Sequence, residues 1–252
     1  MRLIEVISIE GIPMVKEGDD VAQMICRAAE AQGTPLQDGD ILVVTHKIVS
    51  KTEGRVVNLK DVEPSPFAQT LAQQSGRRPE VLELVLREAQ LIIKMRKGTT
   101  ITKTKQGWIC ANSGVDVSNV SGGDAVALLP ENSDRSAQII RKRIRELTGR
   151  DVAVIISDTT GRPLRRGQID VAIGVAGIEP ILDLRRKRDL FGYTLKVKQT
   201  AIVDEIASAA ELVIGQVREM TPAAIIRGLK YPRSDLATSK SLLRPLSREL
   251  FR

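Results

Sequence analysis

Hydrophobic and polar positions alternate over Leu3–Ile9, which predicts a strand running into Gly11-Ile12-Pro13-Met14-Val15. The period then lengthens. Val21, Met24, Ile25 and Ala28 recur at helical spacing behind Asp19-Asp20, predicting a helix over Val21–Ala31. Gly39-Asp40 interrupts it, and the unbroken apolar run Ile41–Thr45 reads as a buried strand. Pro64-Ser65-Pro66 marks a boundary before two helices, Phe67–Ser75 and Pro79–Ala89, the second with proline at its first position. Leu91–Ile93, Thr99–Thr104 and Gly107–Cys110 are expected as antiparallel strands.

Ser136–Thr148 predicts a strongly basic helix closed by Gly149. Val152–Ser157 reads as a central strand, Leu195–Lys198 as an alternating one and Ala223–Arg227 as a late one. Ile202–Ile214 is amphipathic at helical period and ends at Gly215-Gln216, and the basic segment from Ser239 is expected to be helical. Strands and helices do not alternate regularly. The fold expected is therefore α+β, with mixed or antiparallel sheets and helices. Residues 1–252 read as one catalytic unit, with residues 65–150 a candidate inserted lobe.

Composition narrows the function. Of 252 residues, 42% are hydrophobic but only 2% aromatic, so the core must be aliphatic. No apolar run approaches the ~20 residues of a membrane span. Glu5 stands where a signal peptide would be apolar, so no targeting segment is read and a reducing cytoplasm is expected. Cys26 and Cys110 are too few for a disulfide framework or a zinc site. His46 is the only histidine, which disfavours a Ser-His-Asp or Cys-His mechanism. The net charge of +7 raises nucleic-acid binding. The charge is dispersed, however, over Arg141-Lys142-Arg143, Arg162–Arg166, Arg185–Arg188 and the C-terminus, and aromatic platforms for bases are lacking. A basic pocket for a polyanionic small molecule fits better, with no nucleic acid and no membrane as partners.

Two loops carry the candidate chemistry. The strand-like run Val154-Ile155-Ile156 ends in Asp158-Thr159-Thr160-Gly161-Arg162, followed by Arg165, Arg166 and Gly167. Trp108-Ile109-Cys110 likewise runs into Asn112-Ser113-Gly114, then Asp116, Ser118 and Asn119. A polar turn accounts for either loop alone. Two carboxylates delivered by separate strand-exit loops are also a minimal cradle for Mg²⁺ or Mn²⁺ on a nucleotide's phosphates. The arginines would clamp anionic oxygens in forked geometry. The nucleotide fold is not a familiar one, because neither G-x-x-x-x-G-K-[ST] nor G-x-G-x-x-G after the first strand is present. Asp204 and Glu205 open a helix, where acids favour the dipole, so Asp204 reads as structural. Arg141-Lys142-Arg143 reads as a solvated helix face, Arg185–Arg188 as a surface loop and Cys110 as a small core residue.

Several segments stand in a fixed order: Gly11-Ile12-Pro13, Gly39–Val44, Val49–Arg55, Asn112–Asn119, Ser157–Arg162 and Val203–Ala207. Together they resemble the coenzyme F-420-0:γ-glutamyl ligase family, to about Gly228. The resemblance implies a GTP-dependent ligase that adds L-glutamate to an anionic deazaflavin precursor through an acyl phosphate. It implies a homodimer, an unusual α+β ligase fold, Mg²⁺ or Mn²⁺, and a monovalent cation as a further candidate. Asp116 and Asp158 are then metal ligands, with Thr159 and Gln216 at a second metal position. Ile12, Pro13, Met14, Val15, His46, Lys47, Lys51, Asn119, Ile214 and Gly215 line the nucleotide. Arg162, Arg165 and Arg166 join the two aspartates as catalytic candidates. The chain departs from the family at His46 and Lys47, where members often carry small hydroxyl residues, and at Thr160 and Leu164, where many carry aromatics. The alternative is a nucleotide-binding homologue acting on another acceptor or as a nucleotide sensor, which acceptor-dependent GTP turnover separates from the ligase.

Overall fold

The computed structural model describes residues 3–96, 99–120 and 123–245. The chain begins with β1 (Glu5–Ser8), α1 (Val21–Ala31), β2 (Ile41–Thr45), α2 (His46–Thr52) and β3 (Val56–Asn58). It continues through α3 (Pro66–Ser75), α4 (Pro79–Glu88), β4 (Ala89–Arg96), β5 (Thr99–Thr104), β6 (Ile109–Ala111) and β7 (Ala125–Ala127). The last part comprises α5 (Ser133–Thr148), β8 (Ala153–Gly161), β9 (Gln168–Ala176), β10 (Ile181–Asp183), β11 (Gln199–Ala201), α6 (Ile202–Ile214) and β12 (Ala223–Arg227).

A five-stranded sheet of order β1-β12-β2-β8-β9 forms the centre, with only the β2–β8 pair parallel. The fold is α+β, as the irregular order of elements predicts. Because β2 and β8 are covered on both faces, they read as continuous aliphatic runs rather than alternating ones. Val44, Val154 and Ile156 meet Ile25 and Ala29 of α1 and Ile140 and Ile144 of α5. Val43, Ile155 and Ile226 meet Val203, Ile206 and Ala210 of α6. Each such buried aliphatic side chain contributes about 1.5–3 kcal/mol. A smaller cluster, including Leu59, Val81, Leu84 and Val126, underlies the β3–β7 ribbon and α4, and β4-β5-β6 forms a separate sheet. No helix among the described residues is long and apolar enough to cross a membrane.

Local chemistry sets the element ends. Asp20 caps α1, its Oδ1 accepting from the Gln23 N–H at 3.0 Å. Helix α5 starts earlier than Ser136 because Asn132 Oδ1 caps the Arg135 N–H at 3.0 Å. Gly174 of β9 passes so close to α5 that a Cβ there would lie 2.4 Å from the Ser133 backbone.

Several sequence expectations need correction. Residues 158–161 are not an exit loop: they continue β8, held in antiparallel pairing with residues 168–171 of β9. Leu195–Lys198 is not a strand: the strand is β11, and Val197 is 86% exposed, so the alternation there faces no core. Arg141 is not solvated. It donates to the Val152 carbonyl at 2.9 Å and pairs with Asp151 and Asp235, tying α5 to the loops around it. The segment from Ser239 forms only a short 3₁₀ turn, Ser239–Leu242, and its end lies outside the described residues.

Candidate active site

Parallel pairing of β2 with β8 ends at Thr45, the last residue of β2, which lies opposite Ser157, while β8 runs on to Gly161. The next residues, His46 and Asp158, therefore meet, with His46 Nε2 3.2 Å from Asp158 Oδ1. Antiparallel β12 enters at the same edge, where the Thr45 N–H donates to the Pro222 carbonyl at 3.0 Å. The segment leaving β2, the second half of β8 and the segment entering β12 thus surround one cavity of about 1240 Å³. Ligands collect at carboxyl ends of parallel strands for this topological reason.

The second carboxylate comes from the loop after β6. Asn112, Ser113 and Gly114 all have left-handed backbone, at φ 52°, 56° and 70°. Ser113 tolerates this because its buried hydroxyl donates to the Val85 carbonyl at 2.8 Å and bonds Thr102 Oγ1 at 2.9 Å. Gly114 is required twice, since a Cβ there would also lie 2.6 Å from the Leu129 side chain. The turn places Asp116 against Ala127 of β7, with its backbone bonded both ways at 2.8 and 2.9 Å. The Asp116 carboxylate then accepts from the Ser118 N–H and hydroxyl, each at 2.7 Å, and pairs with Lys47 Nζ at 2.8 Å. Burial alone would raise the Asp116 pKa, but Lys47 and Ser118 outweigh it and hold the carboxyl below its ordinary range.

Lys51, one turn along α2 from Lys47, donates to the Asn119 carbonyl at 3.0 Å. Burial, with Lys47 adding to it, lowers its pKa. Asn119 Nδ2 reaches the Val217 carbonyl at 3.3 Å, closing the wall between the Asp116 loop and the α6–β12 connection. Opposite, Thr159 Oγ1 lies 2.7 Å from Asp170 Oδ1 and 3.3 Å from Gln216 Oε1.

Ile12, Pro13, Met14, Val15, His46, Lys47, Lys51, Asp116, Asn119, Asp158, Thr159, Thr160, Ile214, Gly215 and Gln216 all line this cavity. Segments more than a hundred residues apart in sequence are thereby brought together. Arg162, Arg165, Arg166 and Leu164 are not in the wall. They belong to the β8–β9 connection, which begins one residue beyond Gly161, itself in the wall; Arg162 is half-buried, and Leu164, Arg165 and Arg166 are exposed. Arg162 Nη2 donates back to the Arg166 carbonyl at 2.7 Å, and Leu164 has left-handed backbone and an exposed side chain. Asp204 is structural, accepting from the Ala172 N–H at 3.0 Å.

Of the wall residues outside the sequence reading of the site, two bear on its chemistry. Cys110 is one. It borders the cavity rather than the core, and burial, reinforced by the negative Asp158, pushes its thiol up to about 12. A thiol so disfavoured as thiolate is a wall, not a nucleophile. The other is Asp170, the lone acid in the apolar strand β9, a signal that the glycine-punctuated run Val171–Ile178 obscures.

The donor set suits a hard cation, being made of carboxylate, hydroxyl and amide oxygens. The 3.3 Å between Thr159 Oγ1 and Gln216 Oε1 is close to the roughly 3 Å between neighbouring ligands of an octahedral Mg²⁺. The cavity also exceeds the ~300–1,000 Å³ typical of a single drug-sized ligand. Sheet, α2 and the Asp116 loop together bring carboxylates, ammonium groups and an amide to one large cavity, a set able to hold a hard cation beside anionic oxygens.

Comparison with known proteins gives the lineage. The model of the family described as F420-0:Gamma-glutamyl ligase matches residues 11–228, and the chain belongs to that family. The coenzyme F420:L-glutamate ligase of Methanopyrus kandleri is 46% identical over 254 residues, covering 97% of both chains. That of Methanothermobacter thermautotrophicus is 45% identical over 252 residues and 99% of both chains. That of Methanocaldococcus jannaschii is 42% identical over 253 residues, covering 100% of this chain and 98% of its own.

Proposed function

We propose that this chain joins L-glutamate to the deazaflavin precursor F-420-0, using GTP and a divalent cation, through an acyl phosphate. The observation that carries this reading is the convergence of Asp116 and Asp158 on one cavity, each met by its own residue of α2. Full-length similarity to coenzyme F420:L-glutamate ligases supports the choice of substrates.

A carboxylate resists attack by an amine because its leaving group would be oxide. Transfer of the γ-phosphoryl group to that carboxylate converts the leaving group to phosphate, and such transfer needs positioning and charge neutralisation above all. Asp116 and Asp158 would hold one cation, Thr159 and Gln216 a second, as Mg²⁺ or Mn²⁺. When bound, these ions neutralise charge on the phosphates. Lys51 adds a positive charge fixed by Asn119, and Lys47 stands where phosphate and Asp116 can share its ammonium. His46 keeps Asp158 oriented through their 3.2 Å contact. The β8–β9 arginines form a basic rim for the anionic acceptor, outside the nucleotide wall. The attacking amine of glutamate forms the amide bond as the acyl–phosphate bond breaks and inorganic phosphate leaves.

Isotope labelling tests this directly. With ¹⁸O in the acceptor carboxylate, one ¹⁸O is expected in each inorganic phosphate released. Phosphate free of label would exclude the acyl phosphate. Lys51→Ala is expected to weaken GTP binding roughly ten- to a hundred-fold, the effect of losing about 1.5–3 kcal/mol in a charge-assisted hydrogen bond. Calorimetric titration checks it, and an unchanged Kd would place Lys51 outside the nucleotide site.

A further inference from the structure

Asp170 is 2% exposed, yet among the described residues its carboxylate is met by neutral donors only. Oδ2 accepts from the Ser157 hydroxyl at 3.0 Å. Oδ1 accepts from the Thr159 hydroxyl at 2.7 Å and from the Gln216 amide Nε2 at 3.3 Å. A buried carboxylate without a cation is costly, so its retention calls for a compensating positive charge nearby.

Its placement depends on an irregularity in the sheet. The β8–β9 register runs Ile156↔Gly174 and then Ser157↔Ala172, leaving Ile173 as an extra residue on β9. Such a bulge turns every following side chain of the strand to the opposite face. Thr159 consequently faces Asp170 across the ladder, on the same side as Ser157. Without the extra residue, Asp170 would project toward α5 instead. The Ser208 hydroxyl of α6 donates to the Asp170 carbonyl at 2.8 Å and holds this stretch in place.

The hydrogen bonds set which oxygen lone pairs remain free for a ligand. Thr159 has one hydroxyl proton, and the short contact spends it on Asp170, leaving the oxygen's lone pairs free. Gln216 turns its NH₂ toward Asp170, which fixes its amide so that Oε1 lies beside Thr159 Oγ1. We infer that Asp170 is a positioning residue, which orients Thr159 and Gln216 so that both present oxygen to a divalent cation. This rests on the metal reading above. The arrangement is that of outer partners that aim first ligands at a metal, where removal of the partner costs ~10–100-fold in affinity.

The test is titration of the protein with Mn²⁺ alone, followed by electron paramagnetic resonance. Asp170→Asn keeps the shape of the side chain but removes its charge and one acceptor. It is expected to remain folded and to weaken Mn²⁺ binding roughly tenfold or more. Ser157→Ala, which touches only the other carboxylate oxygen, should change the affinity by less than about twofold. A folded Asp170→Asn protein with wild-type affinity overturns the assignment. Wild-type protein that does not bind Mn²⁺ overturns the metal reading and the assignment with it. If Asp170→Asn does not fold, the wild-type protein decides by nuclear magnetic resonance of the Gln216 side-chain amide. One hydrogen-bonded proton is expected before and after saturation with Mg²⁺. A free amide in the Mg²⁺-saturated state overturns the assignment.

Discussion

Asp158→Asn is expected to abolish ligation while leaving the protein folded. The asparagine is isosteric, and its Oδ1 can still accept from His46, whose Nε2 stands 3.2 Å from the native oxygen. What disappears is a negative charge on β8 just beyond the end of β2, in a cavity that also holds Lys47 and Lys51. Without it the site is more positive and holds a divalent cation poorly. Loss of one charged ligand should remove about 4 kcal/mol of transition-state stabilisation, or roughly 10³-fold in kcat/KM. Asp116→Asn should behave alike, because Ser118 can still bond the amide oxygen while Lys47 loses its partner. Steady-state kinetics beside a melting curve would check both. Near-wild-type turnover in either variant would separate that aspartate from the chemistry.

Gly174→Ala should be strongly destabilising. Its Cβ would lie 2.4 Å from the carbonyl carbon and oxygen of Ser133, and backbone at a helix start cannot yield as a side-chain tip can. The contact is also cross-linked, since the Val175 N–H donates to Asp134 Oδ1 at 2.9 Å. Either β9 leaves α5 or the helix shifts, at about 3 kcal/mol. Urea unfolding would measure it, and a loss below about 1 kcal/mol would contradict this close approach. Because Asp170 lies earlier in the same strand, the surviving folded protein should also bind Mn²⁺ less well.

Much of this architecture is legible in the sequence, for identifiable reasons. The helices at Val21–Ala31 and Ile202–Ile214 have clear 3.6-residue periods, and the strands at Ile41–Thr45 and Ala223–Arg227 are apolar throughout. Helix α2 is not legible. It is only seven residues long, follows β2 without a break, and Thr45 gives it no side-chain cap. Yet it carries His46, Lys47 and Lys51, whose proximity to the aspartates comes from the parallel β2–β8 register rather than from any local pattern. Asp170 was hidden for a related reason. Its direction depends on a bulge, and nothing in the spacing of Gln168–Ala176 announces one. The β8–β9 arginines show the converse. They stand within a few residues of Asp158 in sequence, but the strand carries them past the cavity wall.

Amide-bond formation between F-420-0 and L-glutamate at the expense of GTP is the reaction proposed for this cavity. Mass spectrometry of F-420-0 incubated with the protein, GTP, L-glutamate and Mn²⁺ reads the product directly. A gain of at least one glutamyl residue is predicted, absent when GTP, glutamate or the metal is omitted and absent in Asp158→Asn. Unchanged F-420-0 in the complete mixture, with GTP bound by the same protein sample, would contradict the account.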